Sequence, residues 1–152
     1  MKTTNAMQLK ARVKKMAKNA GIPAQAMMQN YLFERLLERL SRSAWRNNVV
    51  IKGGMLISSL VGVGARTTMD LDTTVRGFTL THESAERTFR EIAATPADDD
   101  WRFEFDRTED IRKTDDYPGI RVYLKASYAP MSVPLTVDVT TGDRITPDAV
   151  EY

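Results

Sequence analysis

The sequence predicts an α+β domain, a mixed β-sheet with helices packed on one side. Three observations carry that expectation. Residues 6–20 and 23–43 repeat apolar side chains at three-to-four spacing; residues 101–139 alternate apolar and polar side chains; a further helical pattern, Thr81 to Ala94, falls between two groups of strands. At 152 residues, 42% hydrophobic and 28% charged, the chain fits one domain that buries a core without staples. It has no cysteine, which excludes disulfides, a thiolate nucleophile and cysteine-type zinc, and its one histidine, His82, excludes a multi-histidine metal site. Met1 to Gly21 holds five lysines and an arginine but no continuous apolar run, so neither a secretory signal nor a membrane anchor is expected and a cytoplasmic protein is.

The elements follow in order. Met7, Leu9, Val13, Met16 and Ala17 predict a first helix over Ala6 to Ala20, ended by Gly21 and Ile22-Pro23. Pro23 suits the first turn of a second helix, in which Met27, Tyr31, Leu32, Leu36, Leu37 and Leu40 form the apolar face to about Ser43. Its other face carries Arg35, Arg39, Arg42 and Arg46, where an RNA contact would be sought. Val49 to Lys52 is apolar on both faces, as in a buried central strand. Gly53-Gly54 ends it, Met55 to Val61 predicts a short helix, and Met69 to Arg76 a second strand. Thr81 is the expected N-cap of the next helix, with Ser84 in place of the usual Glu. Asp98-Asp99-Asp100 is a turn, and three antiparallel strands follow, separated at Asp115 to Gly119 and at Ala129-Pro130.

Net charge is +2, but it is divided unevenly: residues 1–46 hold 10 Lys/Arg against 2 Glu, residues 47–152 hold 12 against 18 acids. A basic arm beside an acidic body suits an anionic partner such as RNA, with the acids gathering metal cations; a solvated helix face with loop acids is the plainer alternative.

The chemistry gathers in residues 49–75. Lys52-Gly53-Gly54 enters a helical pattern, so a phosphate could approach bare backbone amides at a helix N-terminus; a tight turn is the alternative. In a strand, Asp70 and Asp72 project to one face while Met69 and Leu71 face the other. Two converging carboxylates repel unless a cation lies between them. Asp138, between Val137 and Val139, is a third carboxylate in a strand, on the face opposite its apolar neighbours.

Lys52-Gly53-Gly54, Arg66-x-Thr68-x-Asp70-Leu71-Asp72 and the run Val137 to Pro147 resemble the AbiEii/AbiGii nucleotidyltransferase toxins, relatives of the MenT toxins in the DNA-polymerase-β-like superfamily. The resemblance runs from about Val49 to the C-terminus and more loosely through the N-terminal helices. It implies one nucleotidyltransferase-like domain over 1–152, with N-terminal helices in 5–44 and a catalytic core in 49–145. It also implies that Gly53 and Gly54 hold the nucleotide triphosphate, with Arg66 and Thr68 matching the nucleotide-binding pattern, and that Asp70, Asp72 and Asp138 hold Mg²⁺ and form the catalytic set. Asp138 would also help activate an attacking hydroxyl. The implied activity is Mg²⁺-dependent nucleotide transfer from an NTP to an acceptor such as tRNA, by the toxin half of a toxin–antitoxin or abortive-infection system with a cognate antitoxin protein. Such proteins continue into a helical segment with a further lysine and acid; this sequence ends at Tyr152, so a C-terminally truncated form is expected.

Two rivals stand beside this reading. Asp70-Leu71-Asp72-Thr73-Thr74 also fits a haloacid-dehalogenase-like phosphatase, but that fold needs an apolar strand before the first aspartate and alternating strand–helix units after it, where this chain has Arg66-Thr67-Thr68 and a run of strands. The other is a catalytically inactive module that binds a nucleotide or partner.

Overall fold

Asn5 begins the first helix by accepting, through its side chain, the backbone N–H of Gln8, which satisfies one of the unpaired donors at the helix start. In the computed structural model, which describes residues 5–51, 70–114 and 117–141, this helix is α1 (Ala6–Ala20). The side chains of residues 70, 112–114, 117 and 118 lie outside the description. Gly21 closes α1 at φ 74°, a left-handed conformation that glycine adopts without a Cβ penalty, and its N–H returns to the helix. Helix α2 (Ala24–Arg42) follows with Pro23 at the cap position, one residue outside the first turn. The strands are β1 (Val49–Ile51), β2 (Asp70–Val75), β3 (Arg102–Thr114), β4 (Tyr117–Tyr128) and β5 (Met131–Thr141), with α3 (His82–Ala94) between β2 and β3.

The described strands form one mixed sheet in the order β1-β2-β5-β4-β3. Strands β3, β4 and β5 form an antiparallel meander, β2 lies parallel to β5, and β1 is antiparallel to β2. The α+β class with helices on one side is therefore the observed one. Alternation along each strand gives one face of the sheet to the core, through Leu71, Val75, Val122, Leu124, Leu135, Val137 and Val139, against Leu32, Phe33, Leu36, Phe89 and Ile92 of the helices. Burying each such side chain contributes on the order of 1.5–3 kcal/mol. Helix α3 begins in a reciprocal capping box: the Thr81 hydroxyl accepts from the Ser84 N–H, and the Ser84 hydroxyl accepts from the Thr81 N–H.

Several sequence expectations need correction. In α1 the buried seam is Ala6, Leu9, Val13 and Ala17, whereas Met7 is 70% and Met16 40% exposed. Those two methionines lie off the four-residue ridge that meets α2. Strand β1, expected to be a buried central strand, is three residues long and lies at an edge of the described sheet, with Val49 buried in the core and Val50 and Ile51 half-buried. Arg39 does not belong to a solvated basic face: it is 3% exposed. Its guanidinium donates to both oxygens of Asp99 at 3.0 and 2.8 Å, to the Trp101 carbonyl at 2.9 Å, and lies 4.5 Å from the Phe103 ring centre. Arg35 adds a bond to Asp99 at 3.2 Å. Burial opposes ionisation of Asp99, but the bonds from Arg39 and the Trp101 N–H and the two positive charges outweigh it, so its pKa lies below the usual carboxylate value. The supposed turn acid is thus the counter-ion that ties α2 to the start of β3. The helix expected at Met55 to Val61 lies outside the described residues.

Candidate active site

Parallel pairing of β2 with β5 brings together residues more than sixty positions apart. Asp72 is the register partner of Asp138, and Asp70 that of Thr136. Neighbouring strands are about 4.8 Å apart, so Asp72 and Asp138 stand side by side. Alternation places them on the face opposite Leu71, Val137 and Val139, away from α1, α2 and α3. Two hydroxyls fix the pairing at this level: Thr73 Oγ1 donates to the Asp138 carbonyl at 3.1 Å, and Thr140 Oγ1 to the Thr73 carbonyl at 3.4 Å.

Asp138 is buried, its side chain 4% exposed, whereas Asp72 is half-buried. A carboxylate removed from water requires compensation. Arg121, the register partner of Asp138 on β4, supplies part of it: Nε donates to Oδ1 at 2.7 Å and Nη2 to Oδ2 at 3.1 Å. The row continues one strand further, because Arg121 pairs with Glu109 on β3. Across β2, β5, β4 and β3 the order is therefore Asp72, Asp138, Arg121, Glu109. Tyr123 donates its hydroxyl to Glu109 Oε1 at 2.6 Å, and the Arg107 guanidinium lies 3.8 Å from the Tyr123 ring centre. A Cβ on Gly119 would lie 3.0 Å from both the Thr140 Cγ2 and the Val139 carbonyl, so glycine permits close approach of β4 to β5 beside this row.

Adjacent carboxylates are hard oxygen donors of the kind Mg²⁺ takes when substrate phosphates complete its shell. The donor set fits such an ion, although no cluster of three or more His, Cys, Asp or Glu side chains is gathered among the described residues. Asp70 opens β2 by its backbone, and its side chain lies outside the description. Gly53, Gly54, Arg66 and Thr68 lie outside the described residues. Strand β1 ends at Ile51 opposite Thr73, so the chain leaves it at the Asp72 end of the sheet. At the other end of β1, Asn48 Nδ2 donates to the Arg76 carbonyl at 2.9 Å and closes the pair.

Arg121 and Glu109 belong to none of the sequence motifs above, yet the fold adds them to the row of Asp72 and Asp138. Their signal was present: Arg121 alternates with Ile120 and Val122, which puts it on the polar face that Asp138 occupies in its own strand. Only the register between the strands, absent from the sequence, reveals that they meet. His82, at the start of α3, is exposed, with Asp110 Oδ1 at 2.7 Å and Thr108 Oγ1 at 2.6 Å. Residues 102–141 form strands without intervening helices among the described residues, which removes the strand–helix alternation a dehalogenase-like phosphatase needs.

Among curated proteins no sequence matches the chain. Two solved structures are similar: JHP933 from Helicobacter pylori, at TM-score 0.46 and 15% identity over 86% of this chain and 49% of that one, and a structure described as a candidate nucleotidyltransferase from H. pylori, at TM-score 0.45 and 15% identity over 86% and 50%. The chain thus spans about half the length of the solved structures it matches. A family model described as nucleotidyl transferase AbiEii toxin, Type IV TA system, matches residues 35–152, a span that takes in β1 to β5 and both Asp72 and Asp138. The chain belongs to the AbiEii nucleotidyl transferase toxin family.

Proposed function

We propose that the protein is a divalent-metal-dependent nucleotidyltransferase toxin that moves a nucleotide from an NTP to a hydroxyl of an RNA acceptor such as tRNA, and that a cognate antitoxin restrains it. The observation that carries this reading is the placement of Asp72 and Asp138 as register partners on adjacent parallel strands, within the segment matched by the family model. Asp70, Asp72 and Asp138 would hold Mg²⁺, while Gly53 and Gly54, with Arg66 and Thr68, would receive the phosphates. In the reaction the acceptor hydroxyl would give up its proton, with Asp138 as the base that helps remove it; its oxygen bonds to the α-phosphorus, the bond from that phosphorus to the bridging oxygen breaks, and pyrophosphate leaves. Bound metal would neutralise charge on the attacking and leaving oxygens. The chain's own part is to hold two carboxylates in fixed register, on the sheet face opposite α1, α2 and α3.

The test is transfer of labelled nucleotide to total tRNA in the presence of Mg²⁺. Asp72→Asn and Asp138→Asn are expected to lose transfer with circular dichroism unchanged; transfer at the wild-type rate in both would remove these aspartates from the chemistry. A second reading, a binding module without turnover, is favoured by one feature: Arg121 grips both oxygens of Asp138. NTP binding without transfer in the wild type would select it.

A further inference from the structure

We propose that Arg121 is an exchangeable internal counter-ion: it neutralises Asp138 in the metal-free protein, competes with a divalent cation for that carboxylate, and moves to Glu109 when the cation binds. The inference rests on the metal-site reading above and adds a competitor and a second station to it.

The argument begins with exposure. Asp138 is 4% exposed, so an ionised carboxylate there needs a positive partner at all times, whereas the Arg121 side chain is 31% exposed and keeps a flank in water. The acid is fixed and the base can leave. Both Asp138 oxygens accept from the guanidinium, and a dication brought to the same carboxylate would meet a positive charge at contact distance. Displacement also has a destination. Glu109 is the register partner of Arg121 on its other flank, is exposed, and carries acceptor sites beyond the one that Tyr123 uses. Opposing strands in an antiparallel sheet are about 4.5–5.5 Å apart, so the guanidinium would cross from one neighbour to the other without backbone movement. The rival role is a prop, in which Arg121 orients Asp138 for the metal and stays bonded throughout. The two roles give opposite signs: a competitor weakens metal binding, a prop strengthens it.

The experiment measures Mn²⁺ binding to the full chain without nucleotide, by the free-ion electron paramagnetic resonance signal, for wild type, Arg121→Gln, Arg121→Lys, Glu109→Gln and the Arg121→Gln/Glu109→Gln pair. Arg121→Gln is expected to bind about tenfold tighter, a usual size for coupling between sites. Glu109→Gln is expected to bind more weakly, and the Glu109 effect should vanish once Arg121 is gone. Arg121→Lys keeps the charge and should stay close to wild type. In unaltered protein the Arg121 Nε–H resonance, assigned by its loss in Arg121→Lys, should shift as Mg²⁺ is added, which needs no folded Gln variant. Equal or weaker binding by Arg121→Gln, or an Nε–H resonance unmoved at metal saturation, would overturn the competitor role while leaving the metal site standing. Absence of Mn²⁺ binding in wild type and Arg121→Gln alike would instead overturn the metal-site reading and this proposal with it.

Discussion

Two charged pairs, each formed by an arginine that grips both oxygens of an aspartate, occupy different environments and have different consequences. Arg39 and Asp99 are 4% and 6% exposed in their side chains, and neither can leave. Asp99→Asn strands a buried guanidinium and is expected to cost about 3–5 kcal/mol in urea unfolding at neutral pH. Because the folded pKa of Asp99 is held below its unfolded value, its contribution is complete above the unfolded pKa, near 3.8, and is lost as pH falls through the folded one. The gap between wild type and Asp99→Asn should therefore be constant from pH 7 to 5 and narrow below about pH 4. A gap that widens with acid would contradict the assignment. Gly119→Ala adds a methyl with neighbours at 3.0 Å on two sides and is expected to cost about 1–3 kcal/mol. At this scale the sequence showed Asp72 and Asp138, because strand alternation alone sets them apart from Leu71, Val137 and Val139. It hid Arg39. A helical stripe of Arg35, Arg39 and Arg42 looks solvated until the aspartate sixty residues away is brought against it.

Helices were more legible than strands because their signals are local. The Asn5 cap, the Gly21 stop and the Thr81 cap with Ser84 in the reciprocal position are each read within four residues. Thr81→Ala removes the acceptor for the Ser84 N–H and is expected to cost about 1 kcal/mol in thermal or urea unfolding, while Thr81→Asp should be tolerated. Equal losses in both variants would argue that the cap does not hold α3. The strand meander was legible from its period of two. What β1 does was not. A three-residue apolar strand reads alike at the centre or edge of a sheet, and its place next to β2 is set by pairing of Val49 with Val75 and Ile51 with Thr73.

The molecule as a whole separates its charges. Lys10, Arg12, Lys14, Lys15 and Lys18 are all exposed on α1, which carries no acid, and α1 borders a groove of about 520 Å³ against the β4–β5 hairpin at Pro130 to Pro134. Asp138 lies four residues beyond Pro134 along β5, about 13 Å at strand rise, on the acidic face. Under the proposed function, the basic helix and the carboxylates would therefore meet different parts of any acceptor that reaches both. If RNA is that acceptor, α1 supplies phosphate contacts, and each contact contributes a term to the salt dependence of binding. Replacing Lys10, Lys14, Lys15 and Lys18 with glutamine is expected to weaken tRNA binding and to flatten the slope of log affinity against log salt by up to about 0.7–0.9 for each lysine that was in contact. Mn²⁺ binding should stay as in wild type, since none of the four lysines belongs to the strands that carry Asp72 and Asp138. Filter binding of tRNA across a range of KCl concentrations, beside the metal titration, separates the two functions. An unchanged salt slope would return the α1 lysines to an ordinary solvated face, and a parallel loss of metal binding would mean that the helix supports the site through the fold and not through charge.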